Sequence, residues 1–242
     1  MGISRPSLGL YLTATYPSVR HFIEVLNGVR GLVDFLEIGI PTGNPKYDGP
    51  VIRVTHHGAE LKGLEAVKVV DDYGRYSRVP VLMGYVADYV DSLNEAASVA
   101  RSVNAVSILF PDLIFDYPEL IDRYVEVMVS NGLRPSFFIS SKTPYKLVKR
   151  LSEYNPLFIY LGLYAATGIK LPIYVEQNVT TIRGIIGDTF LVVGFAVNNP
   201  DMVKSLIKAG ADGVVVGTAF IQRMSNLESA LSLLKWLRGG LP

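Results

Sequence analysis

The sequence predicts a (β/α)8 barrel, and three observations carry this prediction. Eight short apolar runs recur along the 242-residue chain. Longer segments with helical periodicity separate these runs, and several begin with Ser, Thr, Asn or Pro and end with Gly or Asn. No change in composition marks a domain boundary, and barrels of this type often have this length. We therefore expect a single barrel domain over residues 1–242.

The eight predicted strands are short and almost continuously apolar. This pattern is typical of strands that are buried on both faces, as in a parallel sheet covered by helices. The runs are residues 10–15, 33–40, 79–86, 105–110, 135–140, 157–163, 190–197 and 212–219. An open doubly wound sheet usually has about five or six strands and a Gly-rich turn after the first strand. Here the first run leads into TATYP, and neither GxGxxG nor GxxxxGK(S/T) occurs, so the dinucleotide and P-loop classes are excluded.

Five segments between the runs show the helical pattern most clearly. Their apolar residues recur three and four positions apart, which places one apolar face against the sheet. These segments are residues 17–29, 89–103, 118–132, 143–154 and 199–210. Together with the strands they give a repeated βα order along the whole chain.

The composition excludes several classes of function. With 23 basic and 22 acidic residues and no basic cluster, the chain has no electrostatic footprint for nucleic acid. No apolar run reaches the roughly 20 residues of a membrane span, and the N-terminus lacks the apolar core of a signal peptide. Zero cysteines and three scattered histidines predict no disulfide, no cysteine nucleophile and no metal site. We expect a soluble, cytoplasmic protein.

Two acids flank a stiff loop in the stretch EIGIPTGNPKYDGP. Glu37 lies at the end of the second predicted strand, on the same face as Phe35 and Gly39, and Asp48 follows eleven positions later. In barrels the chemistry lies at the carboxyl ends of the strands, and an unpaired acid buried there favours function over stability. The alternative is a strand leading into a surface turn, with Glu37 as an edge charge and Asp48 as the start of an Asp-Gly turn.

Three loops rich in small residues are candidates for a phosphate site. They are AATG at 165–168, GFAVNNP at 194–200 and VVGTAF at 215–220, after the sixth, seventh and eighth predicted strands. Backbone N–H groups in such loops bind phosphate in many barrels, and small residues let the anion approach. The alternative is that Gly194 and Gly217 permit tight barrel packing and that Thr218 caps a helix.

The segments around the two acids resemble the tryptophan synthase α subunit family. EIGIP at 37–41 followed by DGPVIR at 48–53 is similar to the family pattern Glu-Leu-Gly-x-Pro, a short loop, then Asp-Gly-x-x-Ile-Gln. The further motifs YLTA, PVLMGY, LYAATG, GFAV and ADGVVVGTAFI resemble that family in the same order and at nearly the same intervals. The resemblance therefore covers the whole chain.

The resemblance implies an enzyme that cleaves indole-3-glycerol phosphate to indole and D-glyceraldehyde 3-phosphate, a retro-aldol reaction of tryptophan biosynthesis without a cofactor in this chain. It gives Glu37 the role of general acid and base. It gives Asp48 the role of holding the indole N–H and stabilising the positive charge that develops on the ring. A raised pKa of Glu37, produced by an apolar surrounding, would suit this role.

The resemblance also implies a set of substrate-binding residues. Backbone N–H groups would bind the phosphate, with one hydrogen bond from the Thr218 hydroxyl, and two tyrosines would line the pocket; an ordinary place in the barrel core is the alternative for both tyrosines. The set is Tyr85, Tyr160, Thr167, Gly168, Gly194, Ala196, Gly217 and Thr218. His56 and His57 are interpreted as exposed residues of the helix after the acidic loop, without a chemical role.

A partner follows from the same resemblance. We expect a tryptophan synthase β subunit in an α2β2 type of complex, with pyridoxal phosphate in that partner alone. Three loops that meet the β subunit in the family depart from its pattern here, at residues 15–17, 42–45 and 112–114. This predicts a weak contact or a variant partner. Ala196 replaces a family glycine and keeps its N–H group.

Two alternatives to a lyase remain at this point. One is a catalytically weak regulatory subunit of a tryptophan synthase complex, in which the acids persist while the loops serve a partner. The other is a different phosphate-binding barrel enzyme, such as a glyceryl-phosphate prenyltransferase, which has no use for Glu37 and Asp48 in this register. Indole release from indole-3-glycerol phosphate, measured with and without a β subunit, separates the three.

Overall fold

The computed structural model describes residues 3–162, 174–194 and 197–242. Thr167, Gly168 and Ala196 of the predicted phosphate site lie outside these residues. Within them the eight predicted strands are all present as parallel strands of one sheet. They are β1 (Ser7–Thr13), β2 (Phe35–Gly39), β3 (Pro80–Met83), β4 (Ser107–Leu109), β5 (Phe137–Ser140), β6 (Ile159–Gly162), β7 (Leu191–Gly194) and β8 (Gly213–Val216).

The strand order shows that the sheet curls into a barrel. Its order is β4-β3-β2-β1-β8-β7-β6-β5, so the first and last strands pair in the middle of the series. An isolated parallel bridge between Leu109 and Ser136 joins the β4 and β5 ends. Nearby, the hydroxyls of Ser107 and Ser136 are 2.8 Å apart. The predicted (β/α)8 barrel is confirmed.

Helices follow the strands, and the described residues include eleven α-helices. They are α1 (Val19–Val29), α2 (Pro50–Gly58), α3 (Gly63–Val67), α4 (Leu93–Ser102), α5 (Leu113–Asp116), α6 (Ile121–Ser130), α7 (Tyr145–Glu153), α8 (Val175–Ile186), α9 (Pro200–Lys208), α10 (Thr218–Ile221) and α11 (Leu227–Arg238). Short 3-10 turns occur at Tyr73–Arg75, Val86–Asp88 and Pro118–Leu120. The five predicted helical segments contain α1, α4, α6, α7 and α9.

The helix ends follow the expected capping chemistry. Ser18 accepts a hydrogen bond from the N–H of His21 at the start of α1, and Asn199 accepts one from Met202 at the start of α9. Pro50 and Pro200 occupy the first turns of α2 and α9, where a missing N–H costs no helical hydrogen bond. These local signals explain why the chain changes from strand to helix where it does.

The core lies inside the barrel and between the barrel and its helices. Nearly every residue of the eight strands is buried, as the continuous apolar runs predict. The first strand begins three residues earlier than its apolar run, because Ser7 is buried and pairs with Gly213 of β8. In the part of the chain that the structure describes, every helix is too short or too polar to cross a bilayer.

Candidate active site

Glu37 is a buried acid, and in the described part of the chain one of its two carboxyl oxygens has no hydrogen bond. It lies in β2 between β1 and β3, pairs with Tyr11 and Val81, and is 1% exposed. Its Oε1 atom has no hydrogen bond. Within the described residues, no other buried side-chain oxygen or nitrogen lacks one. Burial raises the pKa of Glu37 to about 8, because removal from water disfavours the charged form. At neutral pH the side chain is therefore a carboxylic acid with a proton to donate.

Asp48 is a carboxylate with a hydroxyl donor and an imidazole against the same oxygen. The loop after β2 returns to the mouth of the barrel and places Asp48 two residues before α2. The Gly and Pro residues of EIGIPTGNPKYDGP allow the tight turns that this return needs. The Tyr85 hydroxyl donates to Asp48 Oδ2 over 2.8 Å. His56 Nε2 lies 3.3 Å from the same oxygen. Hydrogen bonds of this kind stabilise the charged form of a carboxyl group.

The two acids face the same space, which Tyr11 and Tyr160 border. The pKa of Tyr11 is raised, mainly by burial and further by the charges of Asp48 and Glu37. The pKa of Tyr160 is raised by burial and by the same two charges. Tyr11 pairs with Glu37 in the β1–β2 register, and its hydroxyl lies 3.1 Å from His56 Nε2, which in turn lies 3.3 Å from Asp48 Oδ2. A Cβ at Gly39 would lie 2.2 Å from the Tyr11 hydroxyl, which explains a glycine beside Glu37.

A row of aromatic rings extends from the Asp48 loop across the mouth. The ring of Tyr47 stacks on that of Tyr85 with centroids 6.5 Å apart and tilts against Phe115 at 5.5 Å. Phe115 meets Phe138 edge to face at 6.2 Å, and Phe138 lies 5.4 Å from Tyr160. The row gives this side of the mouth an apolar wall that suits a flat aromatic group. Sequence analysis identified Tyr85 and Tyr160 but missed the other three.

The loop that carries Asp48 is tied to α5. Lys46 Nζ lies 2.9 Å from Asp116 Oδ2, and the Tyr47 hydroxyl donates to Asp116 Oδ1 over 2.9 Å. These contacts lie directly after two of the loops that depart from the family pattern, residues 42–45 and 112–114. Asp112, in the second of them, is buried and accepts hydrogen bonds from the N–H groups of Val86 and Ala87. Its role there is to hold the turn after β3.

The interpretation of His56 as an exposed residue is wrong, whereas His57 is exposed as predicted. His56 is 2% exposed and belongs to the inner face of α2 with Ile52 and Thr55. The helical phase set at Pro50 turns these three positions toward the barrel. Two of the three are polar, so the apolar pattern in the sequence does not reveal that face.

The structure describes part of the predicted phosphate site. Gly194 ends β7, and a Cβ there would lie 1.7 Å from the Tyr160 hydroxyl, so packing alone requires this glycine. Gly217 precedes α10, and a Cβ there would meet Tyr11 Cβ at 3.3 Å. Thr218 is the first residue of α10 rather than its cap. Its N–H group opens the helix and so has no acceptor within it.

Sequence reasoning missed five residues that lie around Asp48 or in the aromatic row. They are Tyr11, Tyr47, His56, Phe115 and Phe138. Each is an ordinary core or surface residue type at its position in the pattern, and no local signal marks it. Within the described ranges, no group of three or more His, Asp or Glu side chains is arranged to hold a metal ion.

Fold and site together define a barrel enzyme of the acid–base type, with a neutral carboxylic acid and a hydrogen-bonded carboxylate at one mouth. The chain matches the family model described as tryptophan synthase alpha chain over residues 3–235. It is 33% identical over 235 residues to the tryptophan synthase alpha chain of Saccharolobus solfataricus, which covers 96% of this chain and 95% of that one. The protein of the same name from Thermococcus kodakarensis is 31% identical over 237 residues, which cover 95% of this chain and 93% of that one.

Solved structures agree with these matches. A mutant tryptophan synthase alpha-subunit from the hyperthermophile Pyrococcus furiosus superposes with a TM-score of 0.88 and 26% identity, over 98% of this chain and 99% of that one. The chain belongs to the tryptophan synthase alpha chain family. This membership confirms the predicted family and the predicted enzyme class, a carbon–carbon lyase of tryptophan biosynthesis.

Proposed function

We propose that this chain cleaves indole-3-glycerol phosphate to indole and D-glyceraldehyde 3-phosphate, with Glu37 as general acid and base. The observation that carries the proposal is the buried Glu37 carboxyl, whose Oε1 has no hydrogen bond and whose pKa is about 8. An unpaired buried acid costs stability, and a pKa close to neutral pH suits a group that must both give and take a proton.

The reaction needs two proton transfers at neighbouring atoms. Glu37 first donates its proton to indole C3, which turns the ring into a cationic leaving group. The resulting carboxylate then removes the proton of the glycerol hydroxyl next to the ring. The carbon–carbon bond breaks, its electron pair returns to the ring as indole, and the hydroxyl carbon becomes the aldehyde of glyceraldehyde 3-phosphate. Glu37 ends protonated, as it began.

Asp48 complements this chemistry at the other end of the ring. Its carboxylate accepts the indole N–H and stabilises the positive charge that appears when C3 is protonated. Support comes from the two groups against Oδ2, the Tyr85 hydroxyl that donates to it and the His56 imidazole 3.3 Å away. Among the described residues no donor contacts Oδ1, so this oxygen is left for the substrate. The aromatic wall that ends at Tyr160 supplies apolar contact for the ring between the two acids.

The phosphate group lies, in this proposal, on the opposite side of the mouth. Backbone N–H groups of Gly168, Ala196, Gly217 and Thr218 bind it, the Thr218 hydroxyl adds a hydrogen bond, and Thr167 and Gly194 line the loops. Gly217 supports this placement, because it directly precedes α10 and a Cβ there would already press on Tyr11 at 3.3 Å, so a small residue keeps this end of the strand open. Thr218→Val should weaken glycerol 3-phosphate binding by about 1 to 2 kcal/mol in calorimetry. Gly217→Val should weaken it more, and unchanged binding in both would place the site elsewhere.

Residues 1–242 act, in this proposal, as one catalytic domain that needs no cofactor and passes indole to a tryptophan synthase β subunit. Pyridoxal phosphate belongs to that partner, and the complex is of the α2β2 type. The three departing loops suggest a weak contact or a variant partner. Lys46 and Asp116, which lie next to the loops at 42–45 and 112–114, form an ion pair, so a partner would meet these two loops as one surface. Sedimentation of the mixed subunits, with and without a substrate analogue, tests this assembly.

An assay of the purified chain tests the activity directly. With indole-3-glycerol phosphate we expect indole and glyceraldehyde 3-phosphate in equal amounts, alone or with added β subunit. Indole glycerol without the phosphate is the matched control, and its turnover should be much lower. Absence of both products under both conditions would refute the lyase and favour a regulatory subunit.

A further inference from the structure

His56 is an imidazole enclosed among hydroxyls beside Asp48. It is 2% exposed, although the next residue, His57, is exposed on the same helix. A buried polar ring of this kind needs partners for both nitrogens. The structure supplies them, and their chemistry determines which nitrogen carries the proton.

The first partner is a backbone donor. The N–H of Thr42 donates to His56 Nδ1 over 3.1 Å. Because an N–H group can only donate, Nδ1 must offer a lone pair and carries no proton. A neutral imidazole has one N–H, so the proton of His56 is on Nε2. Protonation of both nitrogens would deprive the Thr42 N–H of its acceptor.

The hydroxyls on the other side lead to the same assignment. Thr55 donates to the Ile52 carbonyl over 2.7 Å and so accepts from Thr13, whose hydroxyl it contacts. Thr13 then accepts from the Tyr11 hydroxyl, which lies 3.3 Å away. Tyr11 has thereby used its proton, and its oxygen, 3.1 Å from His56 Nε2, is an acceptor.

The Nε2–H group of His56 therefore faces two acceptors, the Tyr11 oxygen and Asp48 Oδ2. The Tyr11 oxygen accepts the hydrogen bond at 3.1 Å, and Asp48 Oδ2, which is charged, lies close enough at 3.3 Å to attract the same proton. Asp48 Oδ2 also receives the Tyr85 hydroxyl at 2.8 Å, so groups from α2 and from the end of β3 meet at one oxygen. The Tyr85 hydrogen bond and the His56 contact come from two different elements and together restrict the rotation of the carboxylate.

We propose that His56 is a positioning residue for Asp48: as the neutral Nε2–H tautomer it holds Oδ2 and thereby presents Oδ1 to the substrate. This inference rests on the proposed role of Asp48 in the lyase. His56 touches no reacting atom. Its effect should appear in turnover, because the carboxylate matters most when the ring is cationic.

Two substitutions separate positioning from packing. His56→Gln keeps a donor where Nε2 lies and gives up the acceptor at Nδ1, whereas His56→Asn keeps the acceptor and gives up the donor. We expect kcat to fall about five- to tenfold in His56→Asn with KM within about twofold, and to stay within about twofold of wild type in His56→Gln. His57→Asn is the matched control and should match wild type. The proposal would be overturned if kcat were equal in all variants, or if kcat were higher in His56→Asn than in His56→Gln.

A double variant tests whether His56 acts through Asp48. In an Asp48→Asn background, His56→Asn should lower kcat by less than about twofold further, since the group that it positions has already lost its charge. The full five- to tenfold loss in that background would show that His56 acts elsewhere. Denaturation curves of all variants control for folding.

A measurement without turnover keeps this inference separate from the lyase proposal. Imidazole nitrogen-15 spectra of the whole chain should show His56 protonated at Nε2 and not at Nδ1. The Nε2–H resonance should move in Asp48→Asn and stay in His57→Asn. If wild type releases no indole, the proposed function fails while these spectra still decide the His56 contact. The opposite tautomer, or a resonance indifferent to Asp48, would refute it.

Discussion

Glu37 and Asp48 lie at the same barrel mouth in opposite surroundings. The end of β2 surrounds Glu37 with buried residues and leaves its Oε1 without a donor. The loop before α2 brings Asp48 between the Tyr85 hydroxyl and the His56 imidazole. The first surrounding raises the pKa of a carboxyl group by burial, and the second places a hydroxyl donor and an imidazole against a carboxylate oxygen.

In the proposed mechanism, this difference gives one site two functions from one chemical group. A carboxyl that must deliver a proton to carbon has to hold that proton at neutral pH, which burial without partners achieves. A carboxyl that must balance a cation has to stay charged, which donors achieve. The cost in stability falls on Glu37, because a buried polar group without a partner is unfavourable.

The largest expected effect is on Glu37 itself. Glu37→Gln keeps the shape of the side chain and removes its ability to give or take a proton, so the lyase turnover should fall by at least about 100-fold. The assay is indole release at saturating substrate, with a denaturation curve as the folding control. A variant that retains more than about a tenth of wild-type turnover would remove Glu37 from the mechanism.

The same residue should make stability depend on pH. The pKa of Glu37 is raised from 4.5 in the unfolded chain to about 8 in the fold, so the native state holds a proton that the unfolded state releases between these values. The free energy of unfolding therefore falls as the pH rises, and the loss due to Glu37 reaches on the order of 4 kcal/mol at pH 8. Urea denaturation at pH 5 and pH 8 measures this loss.

Glu37→Gln is the control for that measurement, because the amide does not titrate. The stability of the variant relative to wild type should rise between pH 5 and pH 8 by roughly 3 kcal/mol. A constant difference across this range would mean that Glu37 titrates normally, and the contrast with Asp48 would then disappear.

Asp48→Asn should have a smaller effect than Glu37→Gln. The amide keeps size and polarity and can turn its oxygen to the indole N–H, but it loses the charge that stabilises the cationic ring. We expect turnover to fall roughly tenfold and substrate affinity to change little. Kinetics and affinity of both variants under one set of conditions provide the comparison. If Asp48→Asn had wild-type turnover, or a defect in substrate binding alone, Asp48 would be a turn residue without a role in the reaction.

The smallest effect should come from the contact that ties the Asp48 loop to α5. Lys46 and Asp116 form an exposed ion pair, and such pairs contribute little. Lys46→Met should leave the denaturation midpoint unchanged and turnover within about twofold. Tyr47→Phe, which removes the second bond to Asp116, is the companion variant. A large loss in Lys46→Met would show that Asp48 depends on the ion pair more than on Tyr85 and His56.

Much of the fold was predictable because the signals for it are local. The eight apolar runs correspond to the eight strands, and the capping residues Ser18 and Asn199 mark helix starts that the structure has. The boundary of β1 was less predictable. Ser7 is buried only because β8 pairs with it, and a polar residue carries no local sign of that pairing.

The candidate site was predictable where the chemistry lies on the chain itself. Glu37 at a strand end and Asp48 after a stiff loop are visible as residue types at particular positions. His56 was misjudged, since its sequence neighbour His57 has the same chemistry and the opposite exposure. The rotation of α2 about its axis turns His56 inward and His57 outward. The residues against which α2 packs determine this rotation.

The sequence by itself determined the order of strands and helices, the barrel class and the two acids, because periodicity and residue chemistry are properties of the chain. The tertiary structure alone decided the state of each acid. The pKa of Glu37 depends on exclusion of water by residues from several strands. The hydrogen bonds of Asp48 depend on Tyr85, 37 residues away along the chain. Distances across the barrel set both quantities, and no local pattern encodes those distances.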